Sequence, residues 1–424
     1  MEAVRELISG GDRRAARFLF AYAQSSLGTW AGATAIVVLA YQRLHSVWAV
    51  TLILLADFVP GMLLGPLLGA AADRWPRRRC LIAADVVRAL AFVGVALIPN
   101  FASTLALATV AGAATALFTP AALSALPDLV EPERVPALTA FYGVVADIGK
   151  TAGPLLAGAM FALIGTGGVV LANGISFAVS AVILVATPFA STRAEPTHHS
   201  LFAEARAGLT AAARMPVVRV VLWASSLTAL FAAMMNVGEL FLARKLGGGA
   251  TGYAVIVTAF GGGMIAGSAL GARSATAAAL RSRYLSGILL VGAALLAIAA
   301  IPVFALTLPA FALAGVANGL VMVHQRLLIQ SLVPDAVRGR AFAALETLLA
   351  WGFVVSFLAG GGLLAVLGSA GLMAFAGGGC LIVRAAAGRA LARDAASLEG
   401  KRYAGAPMPL DVDDASIAAR TASV

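Results

Sequence analysis

Gly69-Ala70-Ala71-Ala72-Asp73-Arg74-Trp75-Pro76-Arg77-Arg78-Arg79 decides how this chain is built. It crowds five charges into residues 73–79, between apolar runs at about 48–71 and 80–98. A second phrase recurs. Pro127-Asp128-Leu129-Val130 returns as Pro334-Asp335-Ala336-Val337, again between apolar runs. Long apolar runs with charge confined to short hinges describe a polytopic membrane protein. A hinge phrase that returns describes two related halves.

Composition agrees. Of 424 residues, 61% are apolar and 12% charged, against roughly 25% charged in ordinary globular domains. Twelve runs are long enough to cross a hydrocarbon core of roughly 30 Å. They lie at about 18–41, 48–71, 80–98, 102–125, 137–162, 168–190, 217–241, 251–271, 284–304, 308–331, 341–364 and 371–388. Only helices and closed barrels satisfy the backbone in lipid. Runs this long and this uniform predict helices, because barrel strands are short and alternating.

The net charge of +10 points away from nucleic acid once its placement is followed. Starting inside, the inner hinges hold Arg5, Arg13, Arg14 and Arg17, then Arg74, Arg77, Arg78 and Arg79, then Arg134. Arg193, Arg206, Arg214, Arg219, Arg273, Arg281, Arg283, Arg338 and Arg340 follow. The outer hinges hold only Arg43, Arg244 and Lys245. This is the positive-inside bias. It predicts a multi-pass protein with both termini in the cytoplasm, and the heavy use of Ala, Gly and Arg over Lys suggests a bacterial source, hence the inner (cytoplasmic) membrane. The N-terminal stretch is polar and has no cleavable signal pattern. Cys80 and Cys380 give no disulfide framework.

The spacing divides the chain into a six-helix half at 1–190, a linker at 191–216 and a six-helix half at 217–390. A polar tail, 391–424, is expected to be disordered. In the linker, Leu201, Ala205, Leu209 and Ala212 share one helical face, predicting an amphipathic helix along the inner surface. His198-His199 reads as a solvated pair, and no metal site is expected. A shift of 207 residues aligns Pro127 with Pro334, Asp128 with Asp335 and Gly153 with Gly360. Two halves in the same orientation are parallel repeats about an axis normal to the membrane.

On these residues the chain resembles the major facilitator superfamily over nearly its whole length. Gly69, Asp73, Arg74, Arg77 and Arg78 match the family's hinge motif between spans two and three. Pro76 stands where the family usually has Gly. The second half lacks its own copy: Gly267 and Gly271 remain, followed by Arg273 and no Asp. Gly149, Gly153, Pro154 and Gly158 resemble the fifth-span motif of antiporter members. The phrases 126–134 and 330–340 look like the branch that holds macrolide efflux proteins and siderophore exporters. The resemblance implies an all-α integral membrane fold of twelve helices. It also implies an inner gate formed by Asp73, Arg74, Arg77 and Arg78 with Asp85 and Arg88. Asp335, Arg338, Arg340 and Glu346 mark the corresponding hinge of the second half.

Charge inside a membrane helix is costly and points to function. Asp57 and Asp147 fall near the midplane of spans two and five, and Lys150 lies one turn beyond Asp147. Asp147 and Lys150 share a helix face, either as a site for protons or a charged substrate or as a self-neutralising pair. Asp57 has no cation in its own span. A carboxylate so placed suits reversible protonation, the alternative being a hydrogen-bonded structural role. Glu239 with Arg244 and Lys245 reads as an outer-surface cluster. Gly149-Lys150-Thr151 ends like a phosphate loop, but Val144 occupies the position of the required Gly. With no nucleotide site, an ion gradient must supply energy.

The reading is therefore a secondary transporter, not an enzyme, with no cofactor. It exports an amphiphilic small molecule against protons, acts as a monomer in lipid, and has a cavity expected to be apolar with few aromatics. A dedicated siderophore or metabolite exporter and a non-transporting sensor or scaffold are the alternatives.

Overall fold

The computed structural model describes residues 13–189, 216–271, 277–333 and 335–403. Every regular element among them is helical. The first half comprises α1 (Arg13–Leu44), α2 (Val47–Arg74), α3 (Arg77–Leu97), α4 (Phe101–Ala125) and α5 (Val135–Val185). The second comprises α6 (Pro216–Lys245), α7 (Gly249–Gly271), α8 (Ala277–Ala300), α9 (Phe304–Leu332) and α10 (Asp335–Tyr403).

Local chemistry sets the helix ends. Ser46 caps α2 by accepting from the Trp48 amide at 3.2 Å, and Asn100 caps α4 by accepting from the Ser103 amide at 2.7 Å. Such caps satisfy amides that have no partner in the first turn. At the 69–79 hinge α2 runs through Arg74. Trp75 leaves the helix, and Pro76 (φ −56°, ψ 118°) takes the cap position just before α3. Proline there fixes a helix-ready φ where no amide is needed.

Among the described residues ten helices make twelve crossings. At 51 and 69 residues, α5 and α10 exceed what a core of roughly 30 Å holds at about 1.5 Å per residue. Each folds back at a single glycine, Gly165 (φ 68°, ψ 175°) and Gly368 (φ 67°, ψ 176°). That backbone region is essentially reserved for glycine. The gaps expected between spans five and six and between eleven and twelve therefore shrink to one residue each.

These turns expose the true register of the repeat. From 165 to 368 is a shift of 203 residues, not 207. The same shift carries other close approaches onto their mates. Gly158 of α5 packs on Ala254 of α7, and its mate Gly361 of α10 packs on Thr51 of α2. Gly112 lies against the Asp57 carbonyl, and Gly315 against that of Phe260. The alignment of Gly153 with Gly360 is thus corrected. The first half inserts a 3-10 turn, Pro132–Arg134, before α5, whereas α10 begins directly at Asp335.

Between the halves, α5 packs on α7 and α10 packs on α2. Near the end remote from the 69–79 hinge the halves share one apolar cluster, joining Val50 and Ala157 to Met234 and Tyr253. At the hinge end of the first half, Phe18, Leu81, Leu126 and Leu184 form a separate cluster confined to that half.

Two expectations change or fall outside. Residues 391–403, expected to be disordered, continue α10 to Tyr403. Ala, Leu and Arg dominate the stretch beginning Arg389-Ala390-Leu391-Ala392-Arg393, and all three are strong helix formers. The linker helix, His198-His199, Arg273 and the rest of the tail lie outside the described residues.

Candidate functional site

Two cavities among the described residues share Trp30, one lined by the first half and the other mainly by the second. The first-half cavity, about 460 Å³, is lined by Asp57 and Arg88 with Tyr22, Thr115, Phe118 and Tyr142. The second-half cavity, about 340 Å³, is lined by Lys150 with Asn236, Phe260, Met264, Asn318 and Phe353. Trp30 lines both. The 203-residue shift relates them. Ala111 maps to Ala314 and Thr115 to Asn318, while Asp57 maps to Phe260 and Arg88 to Val291. The first half keeps the charges and the second replaces them with apolar or amide groups. Aromatic side chains are prominent in both cavities, contrary to the expectation of few.

Asp57 sits on α2 with its side chain exposed to the first-half cavity. Among the described residues no cation lies within ion-pair distance of it. Asp147 and Lys150 share a face of α5 but form no ion pair within 4 Å. The Lys150 ammonium instead lies 3.6 Å from the Met264 sulfur and 5.5 Å from the Trp30 ring centre. Asp147 and Lys150 therefore interact only through space, without a direct ion-pair contact.

Asp85 and Arg88 do pair, on α3, one helical turn apart and almost fully buried, at 0% and 3% exposure. The Arg88 guanidinium lies between two rings, 4.1 Å from Phe118 and 4.3 Å from Phe177. Arg88 thus lines the first-half cavity, with Asp85 paired to it. Tyr22 and Tyr142 stack beside them at 4.1 Å.

The hinge arginines work within their own half. Arg77 bonds Asp128 at 2.8 Å, tying α3 to the end of the fourth span. Arg78 donates to the carbonyls of Leu184 and Val185 at the end of the sixth. Arg74 is exposed, and the side chain of Asp73 lies outside the described residues. So do those of Asp335 and Arg340. Arg338 donates to the Val333 carbonyl at 3.3 Å. Glu346 meets Arg326 at 3.6 Å, both more than half exposed, an arrangement worth little in a solvated setting.

The small residues of α5 face two ways. Gly149 and Gly153 pack on α1 of the same half, against Ser26 and Trp30. Only Gly158 meets the other half. Pro154 is buried. Glu239 is not a surface residue: it is 5% exposed, because α6 turns it inward alongside Tyr253. Its supposed partner Arg244 lies 4.6 Å over the Tyr41 ring of the first half.

Cross-half contacts follow one pattern. Tyr41 meets Phe241 at 5.3 Å and Phe58 meets Phe353 at 5.3 Å. With Lys150–Met264, Gly158–Ala254 and Gly361–Thr51, these lie from mid-membrane to the end remote from the hinge. Farther along α2, Gly65 and Gly69 have nothing within 4 Å of where a Cβ would stand.

Residues 14–411 match the family model described as transmembrane secretion effector. The chain belongs to the major facilitator superfamily. A relative in Bacillus subtilis (strain 168), "Uncharacterized MFS-type transporter YfiS", is 28% identical over 337 residues, 76% of this chain and 80% of its own. Among solved structures, a mutant of the nucleoside transporter NupG superposes with a TM-score of 0.74 at 11% identity, covering 88% of this chain and 99% of that one. A bacterial homolog of the human lysosomal transporter Spinster, inward-facing and unoccupied, gives 0.66 at 16%, covering 91% and 96%. A POT family transporter bound to 5-aminolevulinic acid gives 0.71 at 12%, covering 88% and 94%. At these identities the likeness is one of fold. This major facilitator protein is a multi-pass membrane transporter.

Sequence reasoning had weighed the charges and the small residues of the fifth span. It missed Trp30, Met264 and Asn318. The available signal was the presence of Asn236, Asn318 and Gln325 inside apolar spans, where every amide must find a partner.

Proposed function

We propose that this transporter exports an amphiphilic small molecule in exchange for protons, by alternating access. The halves are 1–190 and 217–390, joined by 191–216. Both termini lie in the cytoplasm, and the protein resides in the bacterial inner membrane. The observation that carries the reading is the pair of cavities meeting at Trp30, with Asp57 and Lys150 exposed to them. Intramembrane charge facing a cavity is the usual mark of a substrate or proton path.

The cross-half contacts support a conformation closed at the outer end and open at the hinge end. Tyr41 and Arg244 are mates under the 203-residue shift, and they meet across the pseudo-twofold axis. Rocking the halves about the α5–α7 and α10–α2 seams would open this end and close the other. Asp73, Arg74, Arg77 and Arg78 stand where the closing end would form. In this reading Asp57 and Asp147 are the proton carriers, and efflux of diverse drugs is the physiological outcome.

Purified protein in proteoliposomes tests it. An amide cannot carry a proton, so Asp57→Asn abolishes export driven by a pH gradient and spares downhill exchange. Asp147→Asn lowers gradient-driven export too. Full gradient-driven transport in both variants would overturn proton coupling through these carboxylates. No flux of any amphiphile in wild type would leave the scaffold reading.

A further inference from the structure

The second-half cavity contains two strong hydrogen-bond donors aimed at a poor acceptor. The Lys150 ammonium from α5 and the Asn318 amide nitrogen from α9 each lie 3.6 Å from the same atom, the Met264 sulfur on α7. Asn318 has a second sulfur neighbour, Met322, at 3.8 Å. A thioether accepts only weakly, and among the described residues neither donor has an oxygen acceptor there. Lys150 is also the only charged residue among those lining this cavity. Asp147, one turn away on α5, acts on Lys150 only at a distance beyond direct contact. Asp147 forms no ion pair with it, and Asp57 lines the other cavity.

Two donors that converge on one atom, one of them a cation, mark the place of an oxyanion. Charge-assisted hydrogen bonds to oxygen are shorter and about twice as strong as neutral ones. Methionine is unbranched and adaptable, so Met264 is suited to swing aside. Around it, Met235, Met322, Phe260, Phe353 and Trp30 present an apolar wall, soft and aromatic enough to hold a flat or branched body.

We propose that the transported molecule is an amphiphilic anion. Its carboxylate, sulfonate or phosphate sits between Lys150 Nζ and Asn318 Nδ2, displacing the Met264 sulfur, and its apolar body lies against Phe260, Phe353 and Met322. This rests on the transporter reading and adds the substrate's charge. The internal symmetry strengthens it. The mate of Lys150 under the 203-residue shift is Phe353, which packs on Phe58. The cation is therefore a departure from the repeat at this one contact, not a feature the seam requires.

Binding in lipid nanodiscs tests the charge class separately from transport. The probes are anilinonaphthalene sulfonate, uncharged phenylnaphthylamine of the same aromatic body, and a quaternary ammonium derivative of that body. Wild type is expected to bind the sulfonate at least about tenfold more tightly than the uncharged probe, and the cation least tightly, one charge-assisted bond being worth about 1.5–3 kcal/mol. Lys150→Gln removes that preference, Lys150→Arg restores most of it, and Asn318→Leu reduces it. Rescue by arginine separates a charge requirement from misfolding. Equal binding of the three probes, or an anion preference that survives Lys150→Gln, overturns the proposal while leaving transport intact. Absence of binding by all three, with no flux in proteoliposomes, sinks the transporter reading and this proposal with it.

Discussion

Replacing Asp85 with Asn would leave Arg88 as an uncompensated cation in a wall where it is only 3% exposed. Removing one partner of a buried pair costs about 3–5 kcal/mol. The Phe118 and Phe177 faces, 4.1 and 4.3 Å from the guanidinium carbon, are present before and after and so cancel. The asparagine oxygen still accepts from the guanidinium, returning about 1 kcal/mol. The net loss is about 2–4 kcal/mol, or roughly 30-fold to 1,000-fold in the unfolding equilibrium. Arg88→Met should cost as much, because it strands a carboxylate with 0% exposure. The double variant Asp85→Leu, Arg88→Met removes both charges and should stay within about 1 kcal/mol of wild type, since apolar replacement of a buried pair is often neutral. The assay is reversible unfolding in mixed micelles titrated with dodecyl sulfate, followed by tryptophan fluorescence. A double variant as unstable as the two single losses combined would refute the claim that the pair neutralises itself.

Gly165→Ala and Gly368→Ala should each destabilise by about 1–3 kcal/mol, because φ near 67° with ψ near 175° is closed to a side chain; unchanged melting in detergent would place the turns elsewhere. Asp73→Asn should reach the membrane at normal levels yet slow transport, since a neutral group cannot hold a charged hinge. Normal flux would reduce the motif to an orientation signal. Reporter fusions after Arg402 and within 191–216 should both report cytoplasm, and a periplasmic signal at either site would sink the twelve-span arrangement.

Most of the architecture was legible because lipid leaves so few choices. Apolar runs must be helices, and arginine placement must favour one side. What stayed hidden was set by contacts rather than composition. Gly165 and Gly368 looked like any other glycines in clusters; only their φ values mark them as the turns that carry the repeat. The 207-residue alignment followed the Pro-Asp phrases, which sit four residues out of structural register. Asp147 and Lys150 share a face in any helix, but the side-chain torsions that send Lys150 toward Met264 depend on α7, more than 100 residues away. Glu239 was misplaced for the same reason. Proximity to Arg244 and Lys245 in sequence said nothing about which way α6 faces. Asp57 lines the first-half cavity, a placement that depends on how α2 is turned against its neighbours.

The single-residue turns at Gly165 and Gly368 also bear on biogenesis. One residue spans at most about 3.6 Å, so spans five and six have no loop to park in water while the ribosome finishes the second of them. The same holds for eleven and twelve. If the first limb settled alone in the bilayer, the opening of the next would emerge into lipid with its amides unsatisfied, at several kcal/mol per group. Entry of each pair as a closed helical hairpin avoids that cost. A nascent chain stalled just past Gly165 would hold an unfinished hairpin at the insertion site, waiting for its second arm.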